Sequence, residues 1–278
     1  MNGSKSFYKN LINGINGRLK KSFNNPYKEV NVNWFSLKYL KHVPPDKIHS
    51  HNLLHHPTYF YGGSEYLHGL KEIFLEGVYK QNLPQNAYII DCGSHIGLSV
   101  IYLKDICPTA RIVCFEPDEK NFNLLQKNIL SHHLENVEPK QEAIWNENTS
   151  LHFIQDGSMG SKIGETTTSH SVTVKATRLK DYLDKKVDFL KIDIEGAEYN
   201  VLKDVSENLE NVNKMFIEYH GTFDQNNELM EIFEIILKAG FKFYIKEATS
   251  VFDQPFLPKK YLSEYDLQLN IFCFRNNN

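Results

Sequence analysis

The stretch from Tyr88 to Gly97, YIIDCGSHIG, constrains the fold more than any other part of the 278-residue chain. Its apolar run predicts a buried strand that ends at Asp91, and Gly93 and Gly97 then bracket a tight turn into the helical pattern LSVIYLKDI. A strand that ends in a glycine turn and continues into a helix forms a ligand site at the carboxyl edge of a parallel sheet. Glycines let the backbone approach a ligand, and the helix N-terminus offers free amide groups.

The spacing of this turn indicates which ligand it holds. In D-x-G-x-x-x-G, Asp91 stands where the dinucleotide fingerprint G-x-G-x-x-G has its first glycine. A carboxylate aimed into the site repels a pyrophosphate but suits a cationic ligand. Because S-adenosylmethionine carries a sulfonium and an ammonium group, the turn predicts this cofactor rather than NAD.

Further strands alternate with helical patterns along the chain. Two apolar segments, RIVCF and VDFLKI, end beside carboxylates like the first strand, and MFIEY contains one; another strand is expected near residues 137–144. After it, LHFIQ and SVTVKATRL alternate like antiparallel strands, and the chain closes with the strand pair FKFYIKEA and LQLNIFCFR. We predict an α/β fold with a doubly wound, mostly parallel Rossmann-like sheet, a reversed last strand and a β insertion after the third strand.

The residues before the first core strand form a separate region. We expect residues 1–84 to be an N-terminal helical extension that covers the acceptor side, and residues 85–278 to be the cofactor-binding domain. Within 1–25, apolar residues at i+4 spacing with interspersed lysines predict an amphipathic helix, which packs on its own domain or contacts a membrane surface peripherally. Residues 43–56, which are rich in histidine, predict a polar loop, and residues 59–81 predict a helix.

Composition narrows the class of protein. Lys plus Arg number 31 against 34 Asp plus Glu, so the chain lacks the basic excess typical of nucleic-acid binding. The four cysteines form no C-x-x-C pair, which favours reduced thiols and a cytoplasmic protein. No apolar run approaches the length of a membrane span. The oligomeric state is left open.

Carboxylates recur at the predicted strand ends. Because the carboxyl ends of parallel strands meet at one edge of the sheet, we expect these side chains to converge on a single cleft. Glu116, after the second strand, can accept hydrogen bonds from both hydroxyls of a ribose. The five carboxylates are Asp91, Glu116, Glu142, Asp193 and Glu218.

Four segments in order, IIDCGSHIGLSV, IVCFEPD, VDFLKIDIEGAEYNVL and FIEYHG, resemble the FkbM-type methyltransferase family over roughly residues 70–245. The resemblance implies a class I S-adenosylmethionine-dependent fold and methylation of hydroxyl oxygens on glycans, macrolides and related metabolites. This chain has Ser94-His95 where the family usually has Ala-Asn.

The resemblance also implies roles for individual residues. Asp91, Gly93 and Gly97 are expected to hold the methionine end of the cofactor, with Ser94 and His95 lining the same turn. Glu116 is expected to hold the ribose. The residues expected to border the adenine are Pro117, Asp118, Glu142 and Ala143. Glu72, an acidic residue upstream of the glycine turn, is expected to reach the same site.

Methyl transfer to a hydroxyl requires a group that takes the hydroxyl proton or a metal that lowers its pKa. Candidates at the acceptor side include His220, which titrates near neutral pH without a large shift. Asp193 is a candidate base or metal ligand, but Asp193 with Glu218 is too small a set to predict a metal site. The full set of catalytic candidates is Lys191, Asp193, Glu195, Glu218 and His220.

The expected function is therefore S-adenosylmethionine-dependent O-methylation of a glycan or sugar precursor. Methylation of a polyketide or another small metabolite is the nearest alternative. An NAD(P)-dependent oxidoreductase is disfavoured because G-x-G-x-x-G is absent. A non-catalytic binding protein that keeps the fold is a further alternative.

Overall fold

A computed structural model describes residues 25–154, 162–163, 171–252, 254–256 and 264–275. The predicted amphipathic helix of residues 1–25 lies outside these ranges except for its last residue. The chain divides into two compact units, Met1–Lys80 and Gln81–Asn278.

The first unit contains a β-hairpin between helical segments. Its elements are α1 (Trp34–Leu40), β1 (His49–Leu53), β2 (His56–Phe60) and α2 (Gly63–Gly69), with a π-helical continuation at Leu70–Leu75 and a 3₁₀ turn at Pro26–Val30. The polar loop predicted for residues 43–56 is therefore wrong in part. Leu54 and His55 both have positive φ, which closes a two-residue hairpin turn between β1 and β2. The helix predicted to begin at residue 59 begins at Gly63, because β2 runs to Phe60.

The second unit contains the remaining strands and the longer helices. Its strands are β3 (Tyr88–Cys92), β4 (Arg111–Phe115), β5 (Val137–Lys140), β6 (Ala143–Trp145), β7 (Thr149–Ile154), β8 (Lys162–Ile163), β9 (Ser171–Arg178), β10 (Phe189–Ile192), β11 (Lys214–Gly221), β12 (Lys242–Glu247) and β13 (Leu267–Phe274). Its helices are α3 (Leu98–Ile106), α4 (Glu119–Ser131), α5 (Glu198–Asp204) and α6 (Asn226–Lys238), with 3₁₀ turns at Leu179–Tyr182, Asn208–Asn211 and Phe223–Gln225.

Seven of these strands form one sheet in the order β12-β13-β11-β10-β3-β4-β5. The five strands from β11 to β5 are parallel, and β13 pairs antiparallel with both of its neighbours. Ile90, Leu190 and Ile217 are fully buried at the centre of the sheet. Such continuous apolar strands are typical of a parallel sheet covered on both faces. The predicted α/β class with a mostly parallel sheet is confirmed.

The remaining four strands form a second sheet in the order β6-β9-β7-β8. The third core strand, predicted over residues 137–144, is in fact two strands that belong to different sheets. β5 ends at Lys140 and β6 begins at Ala143, with Glu142 at the break. Glu142 turns toward β9, where it accepts hydrogen bonds from Lys175 Nζ at 2.7 Å and Thr177 Oγ1 at 2.6 Å.

Candidate functional site

The site is positioned where β3 and β10 lie side by side. From β3 the chain continues to β4 and β5 on one side, whereas β10 and β11 lie on the other. The sheet therefore reverses its direction of growth between β3 and β10. In open α/β sheets, ligands bind at the carboxyl ends of the strands at such a switch point. The turns that follow β3 and β10 define the candidate site.

The turn after β3 is held against the turn after β10. Gly93 and Gly97 have φ values of 84° and 89°, in the left-handed region that favours glycine. The Gly93 amide donates to the Phe115 carbonyl at 3.0 Å. A Cβ atom on Gly93 would overlap the backbone carbonyl of Asp193, and one on Gly97 would come within 2.7 Å of Leu125 Cδ1. The backbone path of this turn therefore requires Gly93.

Asp91 differs from the expectation in its charge environment. Its side chain is fully buried, accepts a hydrogen bond from Ser99 Oγ at 2.5 Å and lies 3.2 Å from Lys191 Nζ. A carboxylate with no solvent exposure requires such a partner. The carboxylate of Asp91 is thus paired with Lys191 inside the protein, and its predicted contact with a cationic cofactor stays a prediction.

Lys191 connects the two turns and is itself nearly fully buried. Its ammonium donates to the Gly93 carbonyl at 2.7 Å and lies 3.1 Å from Asp193 Oδ2. These contacts are with carboxylates and a carbonyl of the protein itself. This arrangement favours a positioning role for Lys191 over the catalytic role predicted for it.

Glu116 occupies the position expected for the ribose ligand. Its Oε2 accepts the His95 amide at 2.8 Å and its Oε1 accepts the Asp118 amide at 2.9 Å. Asp118 in turn caps α4 by accepting the Asn121 amide at 2.9 Å. Burial raises the pKa of Glu116 to about 8, although the two backbone hydrogen bonds lower it. Each carboxylate oxygen keeps a lone pair for a further donor, such as a ribose hydroxyl.

This pKa predicts a pH dependence of nucleoside binding. Ribose hydroxyls donate to a carboxylate more strongly than to a carboxylic acid, so binding should tighten as Glu116 loses its proton. With a pKa of about 8, the affinity for 5′-methylthioadenosine should rise about tenfold between pH 7 and pH 9. This nucleoside has no amino-acid moiety and no group that titrates in that range. Isothermal titration calorimetry measures the affinity.

Two variants control this measurement. Glu116→Gln should bind more weakly and show no rise with pH. Glu119→Gln, which changes an exposed carboxylate in the first turn of α4, should retain the rise. A rise that persists in Glu116→Gln would assign the dependence to another group.

The other residues predicted around the turn take different positions. Ser94 is buried, and its hydroxyl donates to the Asp91 carbonyl at 3.1 Å. His95 has a positive φ of 48°, and burial lowers the pKa of its imidazole to about 4, so it is neutral at physiological pH. Pro117 lies between β4 and α4 and is half-buried. Contact of these three residues with the cofactor stays a prediction.

Glu142 and Ala143, which were predicted to border the adenine, lie between β5 of the large sheet and β6 of the second sheet or at the start of β6. Glu142 is held by β9, and Ala143 begins β6 and is buried. Glu72 belongs to the first unit, where its Oε2 lies 3.8 Å from His68 Nε2. Contact of these residues with the cofactor stays a prediction.

Carboxylates surround the imidazole of His220 on β11. Its Nε2 lies 3.6 Å from Glu195 Oε2 and 3.6 Å from Glu218 Oε1, and its Nδ1 lies 3.4 Å from Glu198 Oε1. Burial opposes a charge on His220, but the hydrogen bonds and charges of Glu198, Glu218 and Glu195 outweigh it and raise its pKa well above the usual value. The prediction that His220 titrates near neutral pH without a large shift is therefore wrong, because these carboxylates raise its pKa, and its catalytic role stays a prediction.

The carboxylates of this cluster are also perturbed. Burial raises the pKa of Glu195 to about 8, partly countered by the charge of His220. Burial likewise raises the pKa of Glu218, with the charge of Asp193 acting in the same direction. Perturbed titratable groups in a cleft are typical of functional sites.

Glu198 shapes the turn after β10. It has no solvent exposure and accepts the backbone amides of Ile194 and Gly196, each at 3.1 Å. Glu195 lies in this turn with a positive φ of 54°, and the Tyr265 hydroxyl donates to its carbonyl at 2.9 Å. The backbone around Glu195 is thus held by the Glu198 carboxylate and by the Tyr265 hydroxyl.

A polar cavity of about 740 Å³ opens beside this cluster. Glu195 and His220 line it, together with the second sheet and the segment before β13. Residues of this wall that sequence reasoning missed are Trp145, His152, Asn200, Gln225, Glu228 and Tyr265. Trp145 and His152 belong to the predicted β insertion. That insertion follows the third strand and therefore lies near the carboxyl edge of the sheet, so it could have indicated these two residues.

The switch-point turn, the buried Glu116 and the polar cavity all lie in the α/β unit formed by Gln81–Asn278. The FkbM methyltransferase domain model matches residues 91–243, which is more than half of the chain. The chain therefore belongs to the FkbM methyltransferase family and is an S-adenosylmethionine-dependent methyltransferase.

The chain is similar to two curated proteins named as methyltransferases. Methyltransferase 1 from Beauveria bassiana (strain ARSEF 2860) is 28% identical over 201 residues, covering 60% of this chain and 79% of the relative. Methyltransferase sdnD from Sordaria araneosa is 30% identical over 175 residues, covering 49% and 68%. The crystal structure of methyltransferase FkbM from Methylobacillus flagellatus KT aligns with a TM-score of 0.48 at 15% identity, covering 73% of this chain and 47% of that chain.

No helix within the described residues is long and apolar enough to cross a membrane.

Proposed function

We propose that this methyltransferase acts on a hydroxyl oxygen of a glycan or sugar precursor. The cavity beside Glu195 and His220 carries this proposal. Its wall combines hydrogen-bonding side chains with the indole of Trp145, and sugars present both hydroxyls and an apolar ring face. The N-terminal region, residues 1–84, is proposed as a cover on the acceptor side because it is rich in Tyr, His and Asn.

The donor set at the switch point fits S-adenosylmethionine. Glu116 supplies two acceptor oxygens for a ribose diol. The N-cap residue of α3 is Gly97, which offers no side-chain acceptor to the amides of the first turn, so the carboxylate group of the cofactor is proposed to bind there. When bound, the cofactor supplies an electrophilic methyl group: its bond to sulfur breaks as the bond to the acceptor oxygen forms, and sulfur leaves as a neutral thioether.

The protein's residues must position the acceptor and take its proton. Positioning in line with the breaking bond supplies much of the rate. Glu195 and Glu218 are the proposed proton acceptors, because both carboxylates face the space next to His220 Nε2. His220 holds these two carboxylates in place as an ion-pair partner.

Ligand-dependent melting tests the cofactor. S-Adenosylhomocysteine at 100 times its dissociation constant should stabilise the native state by about 2.7 kcal/mol and raise the melting temperature by several degrees. NAD at the same concentration should produce no shift. A shift with NAD alone would contradict the cofactor assignment.

Transfer of a labelled methyl group tests the acceptor. Tritium from labelled cofactor should appear in sugars or nucleotide sugars incubated with the wild-type chain, and the product should be a methyl ether. Glu116→Gln is the matched control for dependence on bound cofactor. Transfer to polyketide-type hydroxyls and to none of the sugars would replace the proposed acceptor class, and the absence of transfer to any hydroxyl would favour a binding role.

We also propose that the protein works in the cytoplasm. All four cysteines are free and buried. Free thiols are typical of proteins in a reducing compartment. Fractionation of cells that express the full chain tests this location.

A further inference from the structure

We propose that Asp193, Glu195 and His220 bind one divalent cation of the Mn²⁺ or Mg²⁺ class at the edge of the polar cavity. Binding of the ion does not depend on the proposed acceptor, whereas its role in activating a hydroxyl rests on the proposed function. Neither the family match nor the relatives' names assign a metal to this position.

The three side chains have the required geometry. One ligand atom from each, two carboxylate oxygens and an imidazole nitrogen, lie within 4.8 Å of one another. Ligands on opposite sides of such an ion, each about 2.1 Å from it, are about 4.2 Å apart. Small side-chain rotations therefore bring the three atoms into one coordination sphere. Adjacent parallel strands supply them, since Asp193 follows β10 and His220 lies on β11.

The imidazole of His220 is oriented as a metal ligand. It is 5% exposed, and its Nε2 faces carboxylate oxygens of Glu195 and Glu218 at 3.6 Å, which is longer than a hydrogen bond of about 2.7–3.2 Å. Its Nδ1 lies 3.4 Å from the buried carboxylate of Glu198. A histidine that binds metal through one nitrogen usually donates the other N–H to a carboxylate, which fixes the tautomer. The ion would displace the proton on Nε2, and Nε2 would coordinate the ion in its place.

The local charge also favours a cation. Asp193, Glu195, Glu198 and Glu218 converge on this point. Lys191 contacts Asp193, but it also compensates Asp91 and bonds the Gly93 carbonyl. Carboxylate oxygens with one imidazole suit a hard divalent ion, which accepts further oxygen ligands from water or substrate.

The ion would act on the acceptor. Glu195 and His220 line the cavity, so the open coordination positions face the space where the acceptor is proposed to bind. A hydroxyl on such an ion loses its proton more readily. Glu218 would then take that proton, because Glu195 would be a ligand of the ion, and the acceptor oxygen would bond the methyl group as the bond from methyl to sulfur breaks.

Titration of Mn²⁺ into chelator-treated full-length protein tests the site without measuring activity. Calorimetry, with electron paramagnetic resonance of free Mn²⁺, should show one ion per chain. Asp193→Asn and His220→Gln should each weaken Mn²⁺ binding at least tenfold. Glu198→Gln, which alters the carboxylate beside His220 Nδ1 as well as the acceptor of the Ile194 and Gly196 amides, should weaken it about ten- to a hundredfold.

Glu228→Gln is the matched control, because Glu228 lines the same cavity but does not belong to the ligand set, and its Mn²⁺ affinity should be unchanged. If Asp193→Asn or His220→Gln fails to fold by circular dichroism, Glu195→Gln, in the turn, replaces it. An absence of Mn²⁺ uptake by folded wild-type protein, or equal affinity in all variants, would overturn the proposal.

The failure of this site and the failure of the proposed function are distinguishable. Methyl transfer that continues in excess EDTA, with no Mn²⁺ uptake, would overturn the metal site and leave the methyltransferase. Mn²⁺ binding that Asp193→Asn abolishes, without transfer to any sugar, would support the site and contradict the proposed acceptor.

Discussion

Gly93→Ala is expected to lower the free energy of unfolding by more than about 4 kcal/mol, because the folded structure has no room for the new side chain. The new Cβ would overlap the Asp193 carbonyl, which belongs to a neighbouring strand end and cannot rotate away. The φ of 84° adds strain of its own. Urea denaturation followed by circular dichroism measures the loss.

Two other glycine substitutions calibrate this result. Gly97→Ala also has a positive φ, but its Cβ meets Leu125 Cδ1, the movable end of a side chain, so an intermediate loss of about 1–3 kcal/mol is expected. Gly62→Ala has a negative φ and meets the flexible end of Glu65, so a change within about 1 kcal/mol is expected. Equal losses of unfolding free energy in all three variants would contradict the prediction that the contact between Gly93 and the Asp193 carbonyl makes Gly93→Ala the most destabilising.

Lys191→Met is expected to lower the free energy of unfolding by about 3–5 kcal/mol, because it leaves the carboxylate of Asp91 buried without a counter-charge. Asp91 is fully buried and lies 3.2 Å from Lys191 Nζ. Lys186→Met breaks an ion pair of similar length, 2.9 Å to Asp188, but the lysine side chain is 72% exposed, so a loss below about 1 kcal/mol is expected. Urea denaturation compares the two variants.

A double-mutant cycle separates charge compensation from packing. Asp91→Asn in the Lys191→Met background should recover part of the lost stability, because the buried charge is removed with its partner. Additive losses in the double variant would contradict the role of Lys191 as the counter-ion of Asp91. A positioning role also predicts that a folded Lys191→Met variant loses cofactor affinity through displacement of the Gly93 carbonyl.

Local patterns along the chain predicted much of the fold. Apolar runs located β3, β4, β10 and β11, and the helix predicted over residues 228–239 is observed as α6. The same patterns failed for the hairpin in the first unit, where the local sequence gives little indication of strands. The hairpin of β1 and β2 is rich in histidine and lacks the usual glycine turn, so neither its strands nor its turn had a strong local signal.

The sequence predicted the locations of the candidate site residues more accurately than their charge states. Asp193, Glu195, Glu218 and His220 do lie together, because parallel strands bring their carboxyl ends to one edge. Their charge states depend on partners that no local pattern shows. His220, for example, meets Glu198, which lies 22 residues away in sequence.

The amino-acid sequence alone determined the strand and glycine turn at Tyr88–Gly97, the locations of β4, β10 and β11 in the chain, and the family, since each depends on the type and spacing of neighbouring residues. Only the tertiary structure decided that Lys191 pairs with Asp91, that carboxylates raise the pKa of His220, and that the second sheet helps to form the polar cavity. The physical reason is that burial and charge compensation depend on residues far apart in the chain: Lys191 bonds the Gly93 carbonyl across a separation of 98 residues.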